Sequence, residues 1–203
     1  MPHTESLYRR AADIILSGGL VILPTETFYA LAANPFHDEA LRRIFDVKRR
    51  IQTKPLPLIA SDKAAVKKVV CRMSPLTRKL TDRFWPGSLT VLLEPCHQVS
   101  ALLTGPSGKI GVRVPPECAA RIVAAAAGGW VTATSANLSD EIAPDEVSKI
   151  AEEVLGAVDL VLDLGPTPGG KPSTVVEPLD GDFRVLREGA VPEPTLRRHC
   201  MNI

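Results

Sequence analysis

Apolar runs of strand length recur along the chain, each closed by glycine, proline or a polar turn, and helical patterns fill the intervals between them. This alternation constrains the fold most, because helices that take turns with apolar strands must cover a sheet. Leu20-Val21-Ile22-Leu23, stopped by Pro24, is the first run. Leu89–Leu93, Ile110–Val114 and Trp130–Ala133 follow, then Val158–Leu162, Thr174–Val176 and Phe183–Leu186. The class is therefore α/β with a mostly covered sheet.

Leu7, Ala11, Ile14 and Ile15 follow helical spacing, and Gly18-Gly19 ends that helix. A second begins near Asp38, with Leu41, Ile44 and Phe45 inward and Arg42 and Arg43 toward solvent. Ser74-Pro75 supplies a hydroxyl cap and then proline at the first helical position, with Leu76, Leu80 and Phe84 on the buried face and Pro86-Gly87 as the stop. A further helix is predicted over about 116–127. The clearest amphipathic pattern is Val147, Ile150, Ala151, Val154 and Leu155, opened by Pro144-Asp145-Glu146. No repeat or linker interrupts the chain, so the 203 residues suit one domain, 7–191, with 192–203 as a loose tail.

Charge is distributed unevenly. Residues 42–83 hold thirteen of the 24 Lys and Arg but three of the 23 Asp and Glu, so this stretch carries +10 and the remainder −9. Its densest part, Lys48-Arg49-Arg50-Ile51-Gln52-Thr53-Lys54, precedes a strand-like Pro55–Ala60. Cations at a strand mouth make an anion site; they equally make a solvated helix face. The four cysteines lack metal-ligand spacing, so neither a zinc site nor a disulfide framework is expected, and a reduced, cytoplasmic setting is. The N-terminus has no signal pattern, and no apolar run approaches the roughly 20 residues that cross a bilayer.

Gly165–Lys171 nearly spells a phosphate loop, but Pro172 stands where Ser or Thr must follow the lysine, and a strand follows instead of a helix. The P-loop reading fails. Thr132–Ser139 clusters hydroxyls and one carboxamide after a strand, as Pro24–Tyr29 does; each suits a ligand or a capped turn. Arg113 lies inside an apolar strand and must meet an acid, a ligand or water, as must Arg187 at another strand's end. No Ser/His/Asp or Cys/His set is suggested by His3, His37, His97 and His199, so the chemistry needs no protein nucleophile.

Taken in order, Leu23–Tyr29, Lys48–Arg50 with Lys54–Leu58, Phe84–Thr90, Gly111–Pro115, Thr134–Ser139, Pro172–Val176 and Leu186–Gly189 resemble the YrdC-like family, the threonylcarbamoyl-AMP synthases of tRNA modification. The resemblance covers about residues 7–191 and is similar to the family's single-domain form. It implies a single twisted, mixed sheet with flanking helices around a positively charged concave cavity. It also implies that L-threonine, bicarbonate and ATP give threonylcarbamoyl-AMP and pyrophosphate. The product would pass to a separate transferase complex that modifies position 37 of tRNAs reading codons that begin with A, and a tRNA contact is implied too. Magnesium is expected with ATP, held by phosphates and water, with no protein metal site and no membrane.

By the same resemblance, Lys48 and Arg50 are catalytic, and Thr27, Ile59, Arg113, Ser135 and Ser173 bind threonine. Ile59 stands where the family often has another residue. Arg50, Lys54, Lys109, Asn137 and Arg187 bind ATP. Three positions depart from the family pattern: Ala30 and Asp140 replace glycines, and Lys109 takes a place often given to threonine. Asp140 bears on its loop, because glycine reaches positive φ more freely than aspartate. Two rival readings are an RNA-binding module using the basic 42–83 segment and a carbamoyl-adenylate enzyme of hydrogenase maturation. The first lacks aromatics interleaved with the basic residues.

Overall fold

The computed structural model describes residues 2–70, 72–96 and 99–200; Met1, Cys71, His97, Gln98 and 201–203 lie outside them. Helix α1 (Pro2–Leu16) turns Ala11, Ala12 and Ile15 inward. Gly18 then reverses the chain at φ +87°, a conformation glycine adopts without penalty. Strand β1 (Val21–Pro24) pairs antiparallel with β2 (Tyr29–Ala32) and parallel with β8 (Leu160–Val161), and β7 (Thr134–Ser135) joins the far edge of β2. Leu20 and Ile22 enter one core, Val21 and Leu23 another. A strand buried on both faces needs a continuous apolar run, which is why this one does not alternate.

The other strands form a second sheet in the order β10 (Phe183–Arg187), β9 (Thr174–Pro178), β4 (Leu89–Leu93), β5 (Ile110–Arg113), β3 (Leu58–Ala60) and β6 (Trp130–Thr132). Parallel β3–β5 and β4–β9 pairs sit among antiparallel ones. The expected single sheet is thus two mixed sheets. They meet at Ala133, where one extended segment leaves β3 and joins β2, and its amide donates to Pro57 O at 2.8 Å. A segment that changes sheets makes a corner, and corners enclose space.

Helices α2 (Asp38–Val47), α3 (Lys63–Val69), α4 (Pro75–Phe84) and α8 (Glu193–Cys200) place Leu41, Ile44, Val66, Leu80 and Leu196 in the larger core with Leu89, Val91 and Leu93. Helices α1 and α6 (Ala119–Ala126) close the smaller core over Val21, Leu23, Ile59 and Val131. Burial of each such aliphatic side chain contributes about 1.5–3 kcal/mol. The Ser74 hydroxyl accepts from the Thr77 amide at 3.1 Å, with Pro75 opening α4 as its sequence predicts. Asp62 caps α3, accepting from the Ala65 amide at 2.7 Å, which holds its carboxyl below the usual range.

Four expectations need correction. The 147–155 helix is a single 3-10 turn, Val147–Lys149, and then short α7 (Glu152–Leu155). Ile150 and Ala151 between them are extended. Ile150 and Val154 are still buried, and amides of Tyr29 and Thr167 donate to the carbonyls of Pro144 and Asp145, so tertiary bonds hold the entry to this segment in place. The loose tail is α8 over 193–200: Leu196 and Cys200 are buried, and Arg197 pairs with Glu193 and Asp182. Helices α3 and α5 (Ala101–Thr104) are additional to the sequence reading. Finally, Cys96 is disulfide-bonded while Cys118 and Cys200 are free, so cysteine usage does not support a reduced setting. Among the described residues, no helix is long and apolar enough to cross a membrane.

Candidate active site

Both sheets wall one cavity of about 690 Å³. Alternation along β4 puts Thr90 and Leu92 on the cavity and Leu89, Val91 and Leu93 in the core behind. Gly111 and Arg113 come from β5, Val175 from β9 and Arg187 from the end of β10. Tyr29, Ala30, Thr134 and Ser135 come from the four-stranded sheet. Loops supply Thr25, Thr27, Arg50, Lys54, Pro55, Asn137 and Glu141.

Eight of the eleven residues singled out in the sequence line this one cavity: Thr27, Arg50, Lys54, Arg113, Ser135, Asn137, Ser173 and Arg187. Arg113 is buried and gives Nη1 to Glu26 Oε1 at 2.9 Å, so an acid partner and a cavity position coexist. Ser88 also donates to Glu26, while Glu26 Oε2 is buried with no partner. Thr27 Oγ1 meets Thr25 Oγ1 at 3.1 Å, and the Gly169 amide donates to Thr27 O at 2.8 Å. The glycine-rich 165–171 loop therefore braces the Thr25–Phe28 turn, and β9 follows it, consistent with rejection of the P-loop. On the opposite wall Ser173 Oγ lies 2.9 Å from Thr90 Oγ1 and accepts from Arg187 Nη2 at 3.1 Å.

Among the described residues, Arg50 and Arg187 have no carboxylate partner. Arg50 donates to Lys54 O and Pro55 O, each at 3.1 Å, and Arg187 donates to Ser173 O. Loss of water lowers the pKa of both from the usual guanidinium value; for Arg187, repulsion from Arg113 and Arg50 adds to this, while Asp140 opposes it for Arg50. Guanidiniums that repel one another across a cavity favour an anion between them. Lys54 is exposed and pairs with Asp140 at 3.1 Å. Asp140 adopts φ +68°, the left-handed conformation that glycine would take more easily, and aspartate is among the few other residues that tolerate it.

Three singled-out residues lie elsewhere. Lys48 is buried behind the wall; Nζ donates to Ser135 O, Asn137 O (2.6 Å) and Asn137 Oδ1 (3.0 Å). It shapes the Ser135–Asn137 loop from behind. Burial, then the charge of Arg50, lowers its pKa to about 7, against a smaller pull from Glu141. Ile59 faces the smaller core with Val131 and Ala120, because its strand turns Leu58 the other way, toward the cavity. Lys109 pairs with Glu177 at 3.1 Å beside Arg184, away from the cavity. Thr25, Glu26, Tyr29, Thr90 and Glu141 have cavity or supporting roles that the sequence reading did not assign. Glu26 lies inside the Pro24–Tyr29 turn, and an acid there could have been matched to the strand arginine.

The family model described as "Telomere recombination", covering Sua5, YciO and YrdC proteins, matches residues 13–189. A Methanocaldococcus jannaschii relative, provisionally named a threonylcarbamoyl-AMP synthase, is 35% identical over 184 residues, which are 91% of this chain and 86% of the relative. The Pyrococcus abyssi protein named threonylcarbamoyl-AMP synthase is 32% identical over 91% of this chain, but the match spans 54% of its length. The crystal structure of P. abyssi Sua5 complexed with L-threonine superposes with a TM-score of 0.91 at 31% identity, covering 98% of this chain and 58% of Sua5. Domain-length agreement of sequence, topology and motif order leaves one assignment: the chain belongs to the Sua5/YciO/YrdC family.

Proposed function

We propose that this chain is a nucleotidyltransferase that forms threonylcarbamoyl-AMP and pyrophosphate from L-threonine, bicarbonate and ATP. The observation that carries this reading is a pair of guanidiniums, Arg50 and Arg187, with no carboxylate partner among the described residues, sharing one cavity with Thr27, Ser135, Ser173 and Thr90. The family's relatives named for this activity support it. Threonine's amine and bicarbonate condense to a carbamate with loss of water. A carbamate oxygen then attacks the α-phosphorus of ATP, the bond to the bridging oxygen breaks, and pyrophosphate leaves with the electron pair. This chemistry needs placement and positive charge rather than a protein nucleophile.

In this reading Arg50, Lys54 and Arg187 receive the phosphates, with Lys54 exchanging Asp140 for a phosphate oxygen. Arg113 offers its fork to the threonine carboxylate while Glu26 steadies it. Thr27, Ser135 and Ser173 contact the amino acid, and Asn137 the nucleotide. Glu141 is the carboxylate on the cavity wall, and among the described residues no group of three metal-binding side chains forms. Magnesium arriving with ATP would be held by phosphate oxygens and water, where it neutralises charge on the leaving pyrophosphate. The product would serve a separate complex that modifies tRNA. Incubation with ATP, threonine and labelled bicarbonate tests the activity: label in an adenylate is expected, and its absence with pyrophosphate release at background would refute it.

A further inference from the structure

The cations on the cavity wall are Arg50, Lys54, Arg113 and Arg187. Among the described residues, Lys54 and Arg113 each meet a carboxylate, and the two pairs differ in kind. The side chains of Arg113 and Glu26 are 9% and 8% exposed, so that pair is sealed into the wall. Those of Lys54 and Asp140, 3.1 Å apart, are 47% and 82% exposed, with Glu141 lining the cavity beside Asp140. Opening a buried pair strands a charge without water, whereas an exposed pair is weakly held and its partners are rewetted when it opens. The Lys54–Asp140 pair is therefore the one that a ligand can exchange.

The turn that carries Asp140 is braced. The Ser139 amide donates to Lys48 O at 2.9 Å, the Glu141 amide to Leu138 O at 3.3 Å, and Asn137 Nδ2 to Glu141 O at 2.7 Å. Within this turn Asp140 takes φ +68°, and among the described residues its side chain has Lys54 as its ion-pair partner. Lys54 sits on a turn of its own: its amide donates to Ile51 O at 3.0 Å, and its carbonyl accepts from Arg50 Nε at 3.1 Å. The carboxylate acts on both cations, since it pairs with Lys54 and its charge partly offsets the loss of water that lowers the Arg50 pKa. A fixed negative charge beside two phosphate-receiving cations balances them in the empty cavity and repels a polyphosphate that approaches either one.

We propose that Asp140 is a built-in competitor for the phosphate end of the nucleotide: it holds Lys54 in the empty cavity, yields it to a polyphosphate, and retakes it as pyrophosphate leaves. The proposal rests on the assignment of Arg50, Lys54 and Arg187 to the phosphates. No covalent step is involved; one ion pair opens as another forms. The effect is selective, because Asp140 opposes ligands that carry several phosphate charges. It leaves threonine untouched, whose own charges cancel and whose carboxylate is assigned to Arg113. A single exposed pair is weak, so Asp140 tunes affinity for the polyphosphate substrate and product and does not gate the cavity.

The test compares wild type with Asp140→Asn and Asp140→Gly, both of which tolerate the left-handed backbone, and repeats Asp140→Asn in a Lys54→Met background. Calorimetry measures binding of inorganic tripolyphosphate, pyrophosphate and L-threonine, and initial rates give KM for ATP and inhibition by pyrophosphate. Removing the carboxylate should tighten tripolyphosphate and pyrophosphate about two- to fivefold, the size of one exposed ion pair. KM for ATP should fall and product inhibition strengthen by the same factor, with threonine affinity unchanged. The gain should shrink between roughly 0.05 and 0.5 M salt, where screening weakens exposed pairs, and in the Lys54→Met background. Wild-type polyphosphate affinity in both folded Asp140 variants would overturn the proposal, as would a full gain without Lys54 or an equal gain for threonine. A lower melting temperature with no tighter binding would assign Asp140 to its turn alone and overturn it too. If wild type formed no adenylate while Asp140→Asn still tightened tripolyphosphate, the assigned activity would fall and the competitor would stand. Adenylate formation with unmoved polyphosphate affinity would remove the competitor alone.

Discussion

Arg113 carries its charge within a strand that is otherwise apolar, and Glu26 is what makes that position tolerable, since an unpaired buried guanidinium is very costly. A single Nη1 contact at 2.9 Å leaves the planar fork to fix a carboxylate. Arg113→Lys should therefore depress product formation from threonine, and competition among threonine, serine and valine should rank valine last. Valine has threonine's shape but would leave pocket hydroxyls unpaired; serine loses a methyl, worth about 1 kcal/mol. Equal use of valine would remove this pocket assignment. Arg50→Ala should cut pyrophosphate release about 10²–10³-fold, the cost of one key electrostatic donor, with weaker ATP binding in calorimetry and an unchanged melting curve. Lys48 belongs to a different category, because its ammonium is spent on three loop oxygens. Its folded pKa of about 7 lies below the ordinary 10.5, so from pH 7 to 10 the unfolded chain binds more protons. The stability deficit is full below about pH 7 and is relieved as pH rises, by at most about 1.4 kcal/mol per pH unit. Denaturation midpoints at pH 7, 8 and 9 should rise in wild type relative to Lys48→Met. An equal pH response in the two would place the titration elsewhere.

At the scale of elements, α8 shows how little a short helix announces itself. Its residues, Glu193–Cys200, carry three basic groups and a proline, and only Leu196 and Cys200 mark a buried face. Burial against α4, a Glu193–Arg197 pair and Arg197 stacked 4.9 Å over Phe183 hold it in place. Leu196→Ala should cost about 2–5 kcal/mol by leaving a cavity in the core, seen as a lower denaturation midpoint, with adenylate formation preserved below the melting range. An unchanged midpoint would show that α8 does not contribute to the core. Residues 147–155 show the converse: their helical spacing is clear, and the chain nevertheless leaves the helix at Ile150. Bonds from Tyr29 and Thr167 to the carbonyls of Pro144 and Asp145 are long-range, and local periodicity carries no trace of them. Where a cap and an apolar face coincide, as at Ser74-Pro75, the local signal was sufficient.

For the whole molecule, the cavity exists because Ala133 hands one extended segment from one sheet to the other, so ligands that bridge its walls stabilise both sheets together. ATP and threonine supplied together should raise the melting temperature more than either alone, since ligand binding adds to the unfolding free energy by linkage. A single-ligand shift that the second does not increase would argue against a shared closed site. The alternation of strands and helices, the buried β1 run and the ordered motifs were legible in the sequence, because alternation and capping are local and motif residues keep their order wherever the chain carries them. Eight of the eleven residues singled out through that order line the cavity. The remaining three depend on tertiary facts: a strand face for Ile59, a loop behind the wall for Lys48, and a neighbouring strand's Glu177 for Lys109. The division of the strands into two sheets likewise depended on which face of a strand or helix was covered, and that is fixed only when distant parts of the chain pack.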